Sequence, residues 1–489
     1  MGKNTALSKE KNVKIQYLHF AVATLFMLVV AKFPLSQSFL TAGDVVLEPQ
    51  GRVSLGIVFF CLYLWITEPV PFHITGCISI LLMTFFKLQP FSAIVRLGFG
   101  NDTVVFFIGV LVLSSVISRS GLGKRVSTFI LSLTGNKTTT IILGFIITGA
   151  TIGMFVTNMA VAAILIPIAR SMLENEGLTP RKSNFGKALM ISCAYGATLS
   201  GMPTPAAAGP NIIAMNYMKE IGVNITFLEW MKYGVPTMYI MVIPCWLILI
   251  TIFKPEISHL SKTTEELKAE FKALGPMTRN EISTSIIFLI TITLWISSTW
   301  LTAIIGIDLA GTIPALICTC LFFMPGVTTL KWKEISSDIS WDGIILIATG
   351  MSLGLVMHQV GAALWLSKVL LGGIVGVHPF VRILMIVLII ETIKVGLSSN
   401  TVTAAIIMPI MIALAQSNNI PLKGILLPTA LSMSLAFILV ASSPTNFIPY
   451  STGYFSIMDM VKSGIIMTIV AAVIIALSLF TIGTLSGIY

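Results

Sequence analysis

The chain has 489 residues, of which 55% are hydrophobic and only 10% are charged. Soluble domains carry about 25% charged residues, so this composition excludes an ordinary soluble protein. The formal net charge of +10 comes from basic residues dispersed among short loops, which excludes a nucleic-acid-binding patch as its cause.

Apolar stretches close to the ~20 residues that cross a bilayer recur along the whole chain, and they predict an all-α polytopic membrane protein with about 11 transmembrane helices. The predicted spans cover residues 15–34, 53–70, 73–89, 103–120, 185–218, 231–253, 283–305, 309–325, 342–358, 421–448 and 461–486. Two further apolar hairpins, 138–173 and 380–417, are predicted to be re-entrant, entering the membrane and turning back within it.

The distribution of basic residues predicts the orientation in the membrane. With a cytoplasmic N-terminus, most of the 30 Lys and Arg residues fall in cytoplasmic loops, and the odd number of spans places the C-terminus outside. A multi-pass protein of the cell (plasma) membrane is therefore expected. Residues 254–282 form the longest polar stretch and predict a cytoplasmic loop with a short surface helix between the two halves.

Two pairs of segments repeat between these halves. TNMAVAAILIPIA at 157–169 matches SNTVTAAIIMPIM at 399–411 at six of thirteen positions, and each lies in a predicted hairpin. GMPTPAAAGPNII at 201–213 and VASSPTNFIP at 440–449 each interrupt a later span with proline and small residues. Because the first hairpin opens from the cytoplasm and the second from outside, the chain is predicted to contain two inverted-topology repeats, a design of secondary transporters.

The hairpin tips carry short polar side chains inside apolar segments. The second tip is the polar run Ser398–Thr401, and Thr157 and Asn158 occupy the first. Such side chains accept turn geometry, and the helix that follows each tip directs its free N–H groups toward it. The two tips and two broken spans are therefore predicted to form a polar chamber that suits an anion. The alternative is that these residues only cap helices.

Several motifs carry a resemblance to a known family. SNT at 399–401, followed by the proline-containing break, resembles the divalent-anion/sodium symporter family, as do GLGKR at 121–125, TEPVP at 67–71 and LGPMTRNE at 274–281. The resemblance implies a homodimer in which a transport domain slides against a scaffold as an elevator. It also implies transport of C4–C6 dicarboxylates (the 2-oxoglutarate, malate, succinate and fumarate class), of tricarboxylates such as citrate, or of sulfate.

The same resemblance implies a domain division and a binding site. It assigns 1–102 to the N-terminal tail and scaffold helices, 103–253 to the first repeat with broken span 185–218, 254–282 to the loop, 283–341 to scaffold helices, and 342–489 to the second repeat with broken span 421–448. The implied substrate-binding residues are Thr157, Asn158, Met159, Gly209, Pro210, Ser399, Asn400, Thr401, Ser443, Pro444 and Thr445.

The sequence departs from the sodium-coupled pattern of the family at several of these positions. Met159, Ala207 and Ala208 supply no side-chain oxygen for sodium, so sodium is doubted and no other cofactor is expected. Lys394 is assigned a tentative charge-compensating role, with an i, i+3 ion pair to Glu391 as the alternative. These features favour a sodium-independent dicarboxylate exchanger (an antiporter). The alternative is a sodium-coupled di- or tricarboxylate or sulfate symporter.

The sequence gives little support to other classes of function. A membrane enzyme would need His, Cys or carboxylate clusters at one membrane depth, and none is evident. No metal site and no nucleic-acid partner are expected. The expected partners are small dicarboxylate anions, the lipid bilayer and a second copy of the chain. A channel stays open as an alternative, because inverted hairpins can also form pores.

Overall fold

The computed structural model describes residues 2–34, 36–261, 264–306, 311–374, 376–397, 399–418 and 420–489. In these ranges the regular structure is helical except for two short strands, β1 (Thr41–Ala42) and β2 (Val45–Val46), which pair antiparallel. Ser398 of the second hairpin tip and the first two residues of predicted span 309–325 lie outside the described residues.

The first half of the chain, up to residue 273, contains thirteen described helices. They are α1 (Gly2–Lys32), α2 (Gln37–Leu40), α3 (Pro49–Thr67), α4 (Phe72–Phe85), α5 (Phe91–Gly98), α6 (Asp102–Arg119), α7 (Leu122–Ser132), α8 (Thr138–Ile152), α9 (Asn158–Asn175), α10 (Asn184–Leu199), α11 (Gly209–Glu220), α12 (Phe227–Ile252) and α13 (Thr264–Ala273). A 3₁₀ turn at Pro205–Ala207 separates α10 from α11.

The second half repeats this order of long helices, helical hairpin and broken span. Its helices are α14 (Arg279–Ile305), α15 (Thr312–Phe322), α16 (Trp332–Asp338), α17 (Trp341–Gln359), α18 (Ala362–Leu371), α19 (Pro379–Val395), α20 (Asn400–Ser417), α21 (Leu422–Ser432), α22 (Pro444–Ser451) and α23 (Ile457–Leu485). Two further 3₁₀ turns lie at Gly372–Ile374 and Val440–Ser442.

The helix boundaries agree with the all-α polytopic prediction. Among the described residues, eight helices are long and apolar enough to cross a membrane, and four shorter ones are also apolar. The two predicted hairpins are the helix pairs α8–α9 and α19–α20. The two predicted broken spans are the pairs α10–α11 and α21–α22. The division into scaffold and transport domains stays a prediction.

The ends of two family motifs meet in one ion pair. Arg125, the last residue of GLGKR, donates to Glu281 from Nε to Oε1 (2.8 Å) and from Nη2 to Oε2 (3.1 Å). Its Nη1 also donates to the carbonyl O of Gly275 (2.9 Å), inside the LGPMTRNE stretch. Both charged side chains are largely buried. Such bidentate pairing is specific in geometry, so it fixes the start of α7 against the start of α14.

Residues 256–261, here named the strap, belong structurally to the first hairpin. The backbone N of Thr138, where α8 begins, donates to the carbonyl O of Ser258 (3.0 Å). In return the backbone N of Leu260 donates to the carbonyl O of Asn136 (2.8 Å). This short antiparallel pairing holds the entry of the hairpin.

The strap also binds the exit of the hairpin and the helix that follows. Ser261 donates from its backbone N (2.7 Å) and its hydroxyl (2.8 Å) to the carboxylate of Glu176. The carboxylate of Glu256 accepts from the backbone N of Phe185 (2.9 Å) and from the hydroxyl of Ser183. The loop between the halves is therefore hydrogen-bonded to the first repeat along the length of the strap.

A close approach of helices occurs where α17 meets α11 and α20. The Tyr217 hydroxyl on α11 lies 3.3 Å from the carbonyl O of Gly350 and 3.3 Å from that of Ala405. A Cβ on Gly354 would overlap that hydroxyl. Glycine at 354 thus provides the space in which three helices meet, as small residues do between membrane helices.

Candidate substrate-binding site

The first hairpin tip is held by serines from two neighbouring helices. Thr157 is the residue before α9, and its backbone N donates to Ser114 Oγ on α6 (2.9 Å). The Asn158 side chain accepts at Oδ1 from Ser200 Oγ at the end of α10 (3.2 Å). The tip therefore lies between α6 and the first broken span.

The second hairpin tip is held by a helix cap of its own and by one hydrogen bond to the second broken span. Ser399 Oγ accepts from the backbone N of Val402 (3.3 Å), so Ser399 caps α20. Asn400 Nδ2 donates to the carbonyl O of Ser434 in the second broken span (3.3 Å). Asn400 Oδ1 is buried and has no hydrogen-bond partner among the described residues. Helix capping thus explains the role of Ser399, but it provides no hydrogen-bond partner for Oδ1 of Asn400.

The two broken spans are built on the same pair of hydrogen bonds. Asn211 Nδ2 donates to the carbonyl oxygens ten and seven residues earlier, at Gly201 (2.6 Å) and Thr204 (2.8 Å). Asn446 Nδ2 donates to the carbonyl oxygens at the same two offsets, in Ala436 (2.9 Å) and Leu439 (3.2 Å). A break frees backbone carbonyls that a buried asparagine must satisfy. This equivalence supports the predicted repeat independently of the sequence match.

One polar cluster connects the four breaks. Ser434 Oγ lies 3.4 Å from Asn211 Oδ1, which joins the second broken span to the first. A Cβ on Gly201 would lie 2.8 Å from Ser434 Cβ and 3.1 Å from Asn158 Nδ2, so Gly201 lies next to both side chains. The tip cluster is defined here as Asn158, Ser200, Gly201, Asn211, Asn400 and Ser434. It brings the two asparagines predicted at the hairpin tips to one site.

The remaining predicted binding residues lie at or next to the starts of the helices that follow the breaks. Thr401 Oγ1 would lie 3.1 Å from a Cβ on Gly209, so the second tip faces the start of α11. Ser443 is buried and caps α22 through a hydrogen bond from the backbone N of Thr445 (3.4 Å). The other three positions differ in exposure, since Pro210 is buried whereas Met159 and Pro444 are exposed.

The two sides of the site differ in how far they are covered. On α9 and α22 one face is open, with Met159 51% and Phe447 50% exposed. On the repeat-related helix α20, residues 402–415 are all buried. One face of α9 and of α22 is therefore exposed, whereas α20 is covered by the rest of the chain.

Lys394 lies on α19 rather than in the tip cluster. Its Nζ is 3.7 Å from Oε1 of Glu391, and both side chains are almost fully buried. The ion pair considered in the sequence analysis is therefore present, and the pair has no net charge when both groups are ionised. The charge-compensating role of Lys394 stays a prediction.

Sequence reasoning missed three serines that hold the tips and one tyrosine outside the tip cluster. Ser114, Ser200 and Ser434 hold the tips, and Tyr217 joins α11 to α17 and α20. The signal available was weak, because a single serine within an apolar helix usually bonds its own backbone. The described part of the chain contains no group of three or more His, Cys, Asp or Glu residues that could hold a metal ion.

Comparison with known families decides the relationship. The family described as "Sodium:sulfate symporter transmembrane region" matches residues 15–486. The chain belongs to this family. The match confirms the resemblance to divalent-anion/sodium symporters and identifies a transporter family rather than an enzyme family.

Two relatives carry the name sodium-dependent dicarboxylate transporter SdcS. The Staphylococcus saprophyticus protein is 30% identical over 452 residues, covering 89% of this chain and 86% of the relative. The protein of Staphylococcus aureus strain USA300 is 28% identical over 448 residues, covering 88% and 86%. Among solved structures, the YdaH transporter of Alcanivorax borkumensis has a TM-score of 0.54 at 14% identity, covering 81% of this chain and 88% of that one. The last likeness concerns the fold alone.

Proposed function

We propose that this member of the family is a sodium-coupled secondary active transporter of C4–C6 dicarboxylates, the succinate, malate, fumarate and 2-oxoglutarate class. The observation that carries the proposal is the tip cluster, in which two hairpin tips and two broken spans meet through neutral polar groups. The names of the staphylococcal relatives support the dicarboxylate and the sodium.

The cluster suits a dianion without a basic side chain. Helices α9, α11, α20 and α22 all begin at the breaks. The N-terminus of each helix contributes roughly half a positive charge. Together they supply on the order of two charges, which matches a dicarboxylate. The amides of Asn158 and Asn400 can donate to carboxylate oxygens at the two ends of the substrate.

Two buried amide oxygens support sodium coupling. Asn400 Oδ1 and Asn446 Oδ1 have no hydrogen-bond partner among the described residues, and both lie at breaks of the second repeat. Hard cations take carbonyl and carboxylate oxygens as ligands, so these atoms fit a sodium ion. The expectation of sodium-independent exchange finds no support in the comparisons, which favour the sodium-coupled alternative. That expectation rested on Met159, Ala207 and Ala208, which lack side-chain oxygens. It did not take into account the amide oxygens of Asn400 and Asn446.

The uneven exposure of the repeats supports an alternating-access mechanism. If the N-terminus is cytoplasmic, the open helices α9 and α22 face the cytoplasm and the buried α20 faces outside. In the proposed elevator, the two hairpins and broken spans move against α14, α15 and the N-terminal helices, within a homodimer in the plasma membrane.

Uptake into liposomes tests the proposed coupling. Labelled succinate should accumulate in vesicles without internal dicarboxylate when an inward sodium gradient is imposed, and replacement of sodium by potassium or choline should abolish this. Unlabelled sulfate and citrate serve as competitors that define the substrate class. Uptake that requires internal dicarboxylate and does not depend on sodium would instead indicate a dicarboxylate exchanger. Flux that does not saturate and shows no counterflow would indicate a channel.

Variants test the tip cluster. Asn158→Ala and Asn400→Ala should each abolish uptake while leaving folding and dimerisation intact, because each removes a predicted carboxylate ligand. Asn418→Ala is the matched control, since Asn418 lies at the far end of α20 and bonds only local groups. Normal uptake by either tip variant would remove that residue from the binding site.

A further inference from the structure

A cavity of about 450 Å³ lies at the end of the molecule where α6 begins, and none of the tip-cluster residues lines it. Its walls come from the start of α6, the end of α11, the start of α12, the end of α14 and the start of α15. Nothing in the proposed transport cycle uses this cavity.

A buried asparagine on the cavity wall has no bonding partner. Asn216 on α11 lines the cavity and is only 2% exposed. Neither its Oδ1 nor its Nδ2 has a hydrogen-bond partner among the described residues. Leaving one buried polar group unsatisfied is costly, and this side chain leaves both a donor and an acceptor. A partner supplied from within the cavity would satisfy both.

The other lining groups define the chemistry of that partner. At the mouth, Lys219 Nζ lies 2.7 Å from Asp102 Oδ2, so the charges of these two lining residues offset each other. The deeper walls include the aromatic rings of Phe106 and Phe227. We propose that the cavity binds an uncharged primary carboxamide on an apolar body, whose N–H and C=O pair with the Asn216 amide. A primary amide presents one donor beside one acceptor, which is the complement of Asn216.

Occupation of the cavity should affect transport. This step rests on the proposed function, in which α11 moves with the first broken span while α14 and α15 stay in the scaffold. A molecule that contacts both sets of helices favours the arrangement in which the cavity exists. It should therefore slow uptake without competing with the dicarboxylate, because the tip cluster lies elsewhere.

Binding to the purified protein tests the site without reference to transport. The probe is 2-naphthamide, and methyl 2-naphthoate is the control ligand because it lacks the N–H donors. Titration calorimetry should show saturable binding of the amide, and Asn216→Leu should weaken it about tenfold, as expected for loss of two hydrogen bonds. Thr468→Val is the matched variant, since it also removes a buried unpartnered polar group but lies outside the cavity.

Three binding outcomes would overturn the proposal. The amide and the ester could bind equally, Asn216→Leu could bind as well as the parent protein, or neither probe could bind, in which case the cavity holds only water. Asn216→Leu removes an unsatisfied group, so it should fold at least as stably as the parent and remain a usable test.

Uptake measured with the same probe tests the effect on transport. The amide should lower the maximal rate of succinate uptake with little change in KM, and Asn216→Leu should be insensitive to it. Binding without inhibition would overturn the proposed effect. Failure of succinate uptake in every protein, with amide binding intact, would instead count against the proposed function.

Discussion

Replacing Asn211 or Asn446 by Ala should destabilise the protein by similar amounts. Each asparagine donates two hydrogen bonds to carbonyl oxygens freed by a break, at the same sequence offsets. Both side chains are fully buried. In each variant alanine removes two hydrogen bonds and leaves one carbonyl, of Gly201 or Ala436, without a described partner. The second carbonyl, of Thr204 or Leu439, still accepts from the backbone N three residues later, so the inverted repeat predicts matching costs.

The expected loss in the free energy of unfolding is about 1–4 kcal/mol for each variant. One unsatisfied buried carbonyl costs about 1–3 kcal/mol and loss of the second hydrogen bond about 0.5–1.5 kcal/mol, which gives roughly 1.5–4.5 together. Hydrogen bonds measured inside membrane proteins average nearer 0.6 kcal/mol, because the unfolded chain also finds partners, and this lowers the range. The hydrogen bonds of Asn211 are the shorter pair, so its variant should lie toward the upper end.

Thermal unfolding in detergent, followed by tryptophan fluorescence, is the assay. Both variants should have lower midpoints than the parent, and Asn418→Ala should change it little because Asn418 is only partly buried. Unfolding of membrane proteins is often irreversible, so all proteins are compared at one scan rate. A normal midpoint for one asparagine variant and a large loss for the other would refute the equivalence of the two breaks.

Gly354→Ala should destabilise the protein by about 1–3 kcal/mol because its Cβ would overlap a tyrosine hydroxyl, whereas Gly373→Ala should be neutral in thermal unfolding, having nothing within 4 Å. The pKa of Asp338 lies below its ordinary value because a neighbouring arginine donates hydrogen bonds to it. Its contribution to stability is therefore complete above about pH 4 and is lost as the pH falls through the lowered pKa, so Asp338→Asn should remove this acid dependence from the unfolding midpoint. Lys394→Met or Glu391→Gln alone should lower the free energy of unfolding by about 3–5 kcal/mol, because either change leaves a buried charge unpaired. The double variant should lose little stability. The double variant should retain succinate uptake, and a stable double variant without uptake would favour charge compensation by Lys394.

Long apolar stretches made the helices predictable. Bilayer thickness fixes span length, so predicted spans such as 185–218 and 421–448 lie close to the helix pairs that form them. The hairpins were predictable for a different reason, since polar residues at 157–158 and 399–401 interrupt segments otherwise too apolar for a turn.

The partners of the tip residues were not predictable in the same way. Asn158 and Ser200 are adjacent only because the first hairpin packs on α10, and the contact between Gly201 and Ser434 joins residues from different halves. Such contacts follow from packing, which one sequence does not specify. The expectation of sodium-independent exchange gave weight to Met159, Ala207 and Ala208, which lack side-chain oxygens. The unpartnered amide oxygens of Asn400 and Asn446 are evident only from their burial in the structure.

The strap has a consequence for dividing this protein into fragments. By composition, residues 254–282 look like a linker, and a gene split at 253 would seem natural. The strap, however, pairs with the entry of the first hairpin, its exit and the start of α10. An N-terminal fragment that ends at 253 would leave those groups unpaired. For co-expression of two complementary fragments, the break therefore belongs after Ser261, so that the first fragment retains the strap.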